Sequence, residues 1–290
     1  MAGFAGQKPL KDISVVIEGL RYPEGAFWSA RNGCLYFVEW AGDTIWRLQD
    51  GRAKVLFRTQ PGDGPCGLSE DAEGCLWVCL YSSRRLVRFN LLGKPLQIIE
   101  GWRGQPFKGP NDLIMDAQGG LYFTDSGDFE ADWETGRPAG ALYYLNSSSQ
   151  LMRVDDGLCY PNGLAISPDG RWLIVGEHRR NRLLRYAIRP SGVLSERMIF
   201  HTLDNQCLLP NELYHELGPD GMCCDREGRY SVAHYGGGKI VAVGPDGSQL
   251  GQIRLPAGRK PTNVAVTPDG LALYVTEAET GCLYQIVLAV

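Results

Sequence analysis

With 290 residues, 44% of them hydrophobic, the chain can build one large core or two smaller ones. Its 29 basic and 33 acidic residues leave a formal net charge of -4 without long runs of one sign, which argues against nucleic acid as a partner. No apolar stretch approaches the roughly 20 residues that cross a bilayer, and the N-terminal MAGFAGQKPLKD has no continuous apolar region resembling a secretion signal. A cytoplasmic protein without membrane contact is therefore expected, a monomer by default.

In chain order, the first predicted element is the strand KDISVVIEGL. A motif then recurs six times: a Pro-X pair, a glycine-containing turn eight or nine residues after X, and an apolar strand. The copies read PEGAFWSARNGCLYFVE, PCGLSEDAEGCLWVCL, PNDLIMDAQGGLYFTD, PNGLAISPDGRWLIVGE, PDGMCCDREGRYSVAH and PTNVAVTPDGLALYVTE, beginning at Pro23, Pro65, Pro110, Pro161, Pro219 and Pro261. Each is a strand, a tight turn such as Asp169-Gly170 or Asp269-Gly270, and a second strand alternating apolar and polar residues, hence a hairpin. A further strand pair follows, as in DTIWRL then AKVLFR, giving four strands per unit of roughly 40 to 60 residues.

The predicted fold class is all-β: a single six-bladed β-propeller domain over residues 1–290, with four-stranded antiparallel blades around a central metal-binding channel. The N-terminal strand is expected to pair into the last blade and close the ring, hiding both sheet edges. Nine cysteines are an odd count, and Cys34, Cys75 and Cys282 stand beside leucines in predicted strands, which suits buried free thiols.

The first strand of each propeller blade lines the channel, so the residues after the six prolines should ring one end of it. They are Glu24, Cys66, Asn111, Asn162, Asp220 and Thr262. Glu24, Asn111, Asn162 and Asp220 offer two carboxylates and two amide oxygens, which match one divalent metal ion in charge and hardness. Calcium is the first choice, with magnesium, manganese or zinc as alternatives. Taken singly, each residue reads as an ordinary turn or cap residue; together, at inward-facing strand starts where unpaired carboxylates are costly, they read as a metal ring.

The second strands return to the same face and place Glu39, Tyr81, Asp125, Glu177, His234 and Glu277 around the mouth. For Glu39, Glu177 and Glu277 a solvated turn carboxylate is an equal alternative, whereas His234 precedes a glycine-rich loop and is favoured for the pocket. Long connections at 101–109, 126–140 and 203–218 supply aromatic residues, among them Trp133 and Tyr214, as candidate substrate contacts.

These residues make the chain resemble the senescence marker protein (regucalcin), gluconolactonase and luciferin-regenerating enzyme family over essentially its whole length. The resemblance rests on Pro23-Glu24-Gly25 with Trp28, Asn111-Asp112 with Asp116 and Gly119, Pro161-Asn162-Gly163-Leu164-Ala165 with Ser167-Pro168-Asp169-Gly170, and Gly218-Pro219-Asp220-Gly221. It implies a six-bladed propeller holding a divalent metal through Glu24, Asn162 and Asp220, with Asn111 binding metal or substrate. It also implies a metal-dependent hydrolase that opens a lactone, a cyclic ester, with water activated by Asp112 as general base or with Asp220 as nucleophile. The alternatives are an organophosphate hydrolase and a non-catalytic propeller that binds calcium or a small molecule. Sugar-lactone members often carry arginine two residues before the Asn; Gly109 stands there, beside Lys108, which points toward a less polar lactone or ester. The candidate substrate contacts are thus Lys108, Asn111, Asp125, His234, Trp133 and Tyr214.

Overall fold

The computed structural model describes residues 10–127, 138–205 and 216–289. Among them, six four-stranded antiparallel sheets follow one another along the chain. Blade one comprises Pro23–Ser29, Cys34–Glu39, Thr44–Gln49 and Arg52–Arg58; blade two begins at Pro65–Glu70, blade three at Pro110–Met115, blade four at Pro161–Ile166 and blade five at Gly218–Cys224. Blade six takes Pro261–Val266, Ala272–Glu277 and Cys282–Leu288 from the end of the chain and its outer strand, Leu10–Ile17, from the start. The propeller is all-β, as the repeat predicts. No helix among the described residues is long and apolar enough to cross a membrane.

Burial falls from the inner to the outer strands of a blade. The second strand of blade one, CLYFVE, is buried throughout, while the outer strand RAKVLFR is largely exposed. The core is divided among the contacts between neighbouring blades. Tyr36, Val38, Ile45 and Phe57 of blade one pack on Leu68, Val78, Leu80 and Phe89 of blade two, and Leu35, Phe37 and Leu48 pack on Ala265 and Leu283 of blade six. Each buried large apolar side chain contributes about 1.5 to 3 kcal/mol, so these wedges carry the ring. The eight described cysteines are all free, with Cys34 and Cys282 buried and Cys75 half-buried.

Leu10–Ile17 pairs antiparallel with Cys282–Leu288, Ile13 opposite Ile286, and covers an edge that would otherwise expose unpaired backbone groups. Deleting residues 1–17 should lower the melting temperature by about 10 °C, at about 3 °C per kcal/mol for a chain of this size, and promote self-association. A thermal scan with size-exclusion chromatography checks this; an unchanged melting point would refute the closing role.

One irregularity positions the site. In every blade the ladder between first and second strands shifts register just after the proline, between Glu24 and Phe27, Pro65 and Leu68, Pro110 and Leu113, Pro161 and Leu164, Pro219 and Met222, and Pro261 and Asn263. A bulge breaks the alternation of side chains and re-aims the residue it contains. Six equivalent bulges turn the residues after the prolines toward the axis.

Candidate metal centre

Glu24, Cys66, Asn111, Asn162 and Asp220 line one cavity of about 300 Å³ at an end of the channel. All five are buried. Thr262, the sixth residue of the set, is withdrawn: its hydroxyl donates to the Pro23 carbonyl at 2.6 Å and so ties blade six to blade one.

Inside the protein these oxygens are poorly partnered. Glu24 accepts from the Gly25 N–H at 3.3 Å, Asn111 Oδ1 from the Cys66 thiol at 3.6 Å, and Asp220 from the Gly221 N–H and the Asn162 side chain. No lysine or arginine is among the described residues lining the cavity. Burial first, then the charges of neighbouring carboxylates, raise the pKa values of Glu24 and Asp220 well above the ordinary carboxylate range. Two buried acids facing each other without a cation, with two amide oxygens beside them, form a donor set that fits a hard divalent ion. The described residues contain no cluster of three or more His, Cys, Asp or Glu suited to a metal, because half of this ring's oxygens come from amides.

Asp112 lies one position further along and faces the other way. Its carboxylate accepts from the backbone N–H of Leu113 at 2.8 Å and lines a second cavity of about 220 Å³ with Leu113, Leu164 and Asn263. Burial raises it to about 7. In its ring of equivalents, blades one, two, four and five have Gly25, Gly67, Gly163 and Gly221, while blades three and six have Asp112 and Asn263. A Cβ on Gly67 would overlap Asp112, and one on Gly221 would overlap Asn263. These two side chains, each seated over a neighbouring glycine, form a floor between the two cavities.

The folded protein retains protons on these carboxylates that the unfolded chain releases. Without a cation its stability should therefore fall as pH rises from about 4, the unfolded carboxylate range, through about 7 and about 8, where Asp112 and then Glu24 titrate. A bound cation holds the carboxylates ionised, so the gain in melting temperature on adding calcium should grow across that window. Thermal scans at pH 5 and 8, with calcium or chelator, test the sign; a larger calcium effect at pH 5 would rule out these ligands.

Other residues singled out from sequence lie elsewhere. Glu39, Asp125, Glu177, His234 and Glu277 stand opposite their blades' prolines, and the four acids clamp the chain entering the blade. Glu39 accepts from Arg21 N–H at 2.7 Å, Asp125 from Gly109 N–H at 2.6 Å, Glu177 from Cys159 N–H at 2.9 Å and Glu277 from Lys260 N–H at 2.9 Å. Asp125 is thus a structural acceptor outside the cavity lining. Lys108 is exposed and meets Asp125 through its backbone N–H, at 3.0 Å. His234 is fully buried, with Nε2 and Asn181 Oδ1 3.0 Å apart; burial, then nearby Lys239, push it down to about 3, so it is neutral at physiological pH. Trp133 and Tyr214 lie outside the described residues.

Tyr81, expected at the mouth from sequence, does line the cavity, together with Tyr22, Trp40, Tyr160, His178 and Tyr235, and the exposed Glu216 completes the described lining. Tyr22 and Tyr160 immediately precede the prolines of blades one and four; Trp40, Tyr81, His178 and Tyr235 follow the residues that pair with prolines in blades one, two, four and five. In blade two that paired residue is Leu80, which is why Tyr81 reaches the cavity when Glu39 and Asp125 do not. Extending the repeat by one residue at each end would have located all six.

Residues 8–101 and 102–279 match the family described as SMP-30/Gluconolactonase/LRE-like region. The chain belongs to this family. Among curated relatives, a gluconolactonase of Zymomonas mobilis is 26% identical over 91% of this chain and 78% of its own length. A lactonase drp35 of Staphylococcus saprophyticus is 28% identical over 78% of this chain and 68% of its own. Diisopropyl-fluorophosphatase of Loligo vulgaris is 29% identical over 63% of this chain and 58% of its own. Among solved structures, a gluconolactonase of Xanthomonas campestris superposes with a TM-score of 0.79 at 23% identity, covering 98% of this chain and 96% of that one. A calcium-binding regucalcin of Agrobacterium tumefaciens does so with a TM-score of 0.76 at 20% identity, covering 98% and 94%. At such identities the structural likeness establishes the shared family fold.

Proposed function

We propose that this protein opens a lactone by hydrolysis, using one divalent cation, calcium first, held by Glu24, Asn111, Asn162 and Asp220. The observation that carries the reading is the convergence of four buried oxygen donors, from four blades, on one cavity whose described lining has no lysine or arginine. The lactonase names of the curated relatives support the reaction class.

When bound, the cation supplies Lewis-acid polarisation of the substrate carbonyl and stabilises the charge that develops on its oxygen. The chain's own residues divide the remaining work. Glu24 and Asp220 supply the negative charge that holds a cation, and the Asn162 side chain orients the Asp220 carboxylate. Asp220, which lines the cavity, would accept the proton of the attacking water. Asp112, in the layer below and held by backbone N–H groups, adds negative charge beneath Glu24 and Asp220. The aromatic walls exclude competing solvent from the cavity.

A panel of lactones and a phosphotriester, assayed with calcium, with chelator and after calcium is restored, tests the proposal. Lactone turnover lost on chelation and regained with calcium is the expected result. Turnover of the phosphotriester alone would favour the chemistry named for the Loligo relative; calcium binding with no turnover would leave a binding propeller.

A further inference from the structure

The rim of the cavity repeats with twofold rather than sixfold regularity. Tyr22 of blade one and Tyr160 of blade four occupy equivalent positions before the blade prolines, and Tyr81 of blade two and Tyr235 of blade five occupy another equivalent pair. The hydroxyls of Tyr81 and Tyr160 lie 2.9 Å apart, and those of Tyr22 and Tyr235 lie 3.1 Å apart. One bridge therefore arches over blade three and the other over blade six, on opposite sides of the oxygen ring.

Both bridges are held at some cost. Tyr22 and Tyr160 have φ of 56° and 55°, the left-handed region, although each precedes a proline. Bulky residues rarely adopt that conformation, and it persists only where surrounding contacts enforce it, as at ligand sites. Tyr81 in turn depends on Gly109: a Cβ there would stand 2.7 Å from its ring. The phenol hydroxyls bond to one another across the bridges, and all four residues line the cavity.

We infer that the two tyrosine bridges are the specificity-determining walls of the site and that they select a lactone fused to, or bearing, an aromatic ring over a polyhydroxylated sugar lactone. This rests on the hydrolytic reading above. Aromatic faces reward a flat, polarisable ring through offset stacking. A sugar lactone would bring several hydroxyls that lose water against ring carbons, and unpaired polar groups are costly to bury.

Three measurements on the calcium-loaded protein decide the matter. Dihydrocoumarin should exceed D-glucono-δ-lactone in kcat/KM by about tenfold or more, the scale of one or two ring contacts. Tyr81→Leu should lower kcat/KM for dihydrocoumarin about tenfold while changing that for gluconolactone less than about threefold, and Tyr81→Phe, which keeps the ring, should preserve the preference. Coumarin binding, followed by titration calorimetry in the wild type and in Tyr81→Leu/Tyr235→Leu, should weaken about tenfold in the variant.

Equal or better turnover of gluconolactone by the wild type would overturn the inference, even if the leucine variants fail to fold. Parallel loss of both substrates in a folded Tyr81→Leu protein would overturn it too. Coumarin binding that responds to the tyrosines without turnover of any lactone would sustain the walls and defeat the hydrolase reading; gluconolactone turnover without coumarin binding would do the reverse.

Discussion

Glu24→Gln and Asp220→Asn are each expected to abolish stoichiometric calcium binding and to lower lactone turnover by about three orders of magnitude, corresponding to the several kcal/mol a bound cation contributes to the transition state. The same substitutions should raise the melting temperature of the chelated protein at pH 8. Each removes a carboxylate whose ionised form is buried with no lysine or arginine among the described residues lining the cavity, and replacing such a group by its neutral amide relieves that penalty. Metal analysis, steady-state kinetics and thermal scans on one set of samples separate the effects. A variant that still binds calcium at wild-type affinity would remove that residue from the ligand set, and a chelated variant less stable than chelated wild type would show that the carboxylate is held by something other than an ion.

Gly25→Ala is expected to prevent folding at ordinary temperatures. Gly25 has a φ of 54°, and a Cβ there would overlap the backbone carbonyl oxygen of Cys66, which cannot swing aside as a side-chain tip could. Left-handed geometry alone costs about 1 to 2 kcal/mol, and a collision between two inner strands raises the loss to about 4 kcal/mol or more. Gly170→Ala is the control. Its φ is 70°, but an added Cβ would meet nothing within 4 Å, so only the conformational cost of about 1 to 2 kcal/mol should appear. Denaturant titration of both proteins gives the comparison; similar losses would mean that crowding at the axis is not what excludes a side chain from position 25.

The propeller and its ring of donors were legible because the repeat is local and frequent. The Pro-X pair marks a bulge that must sit at the same height in each blade, so aligning six copies of sequence also aligns six points in space. The mouth was less legible for the same reason that strands are readable at all. Side chains alternate with a period of two, and displacement by one residue exchanges faces. Thus His234, which pairs with Pro219, is buried against Asn181, while His178, one residue past the strand end of blade four, meets the cavity.

Acids at strand ends were ambiguous because a carboxylate that clamps backbone N–H groups has the same sequence signature as one awaiting a ligand. Asp125 and Glu277 do the former. The glycines after Asn162 and Asp220 have no side chain to place in a pattern, yet Gly163 and Gly221 leave room for a neighbouring blade at the axis. The hydroxyl bridges join residues 79 and 213 positions apart, beyond the reach of any local pattern.

The twofold character of the rim bears on how a substrate is oriented. A chamber whose opposite sides were identical would accept a substrate in either of two orientations related by half a turn, and could not assign one end of the molecule to one side. Where the halves differ, discrimination between orientations becomes feasible: Gly109 against Lys260 before the prolines of blades three and six, and Trp40 against His178 after the second strands of blades one and four. Lys260 lies 5.5 Å from the ring of Tyr235, whereas Gly109 leaves the space that the Tyr81 ring occupies. Which end of a substrate lies on which side would therefore be set by these mismatched pairs together with the unequal ring positions, Glu24 against Asn162, Cys66 against Asp220 and Asn111 against Thr262.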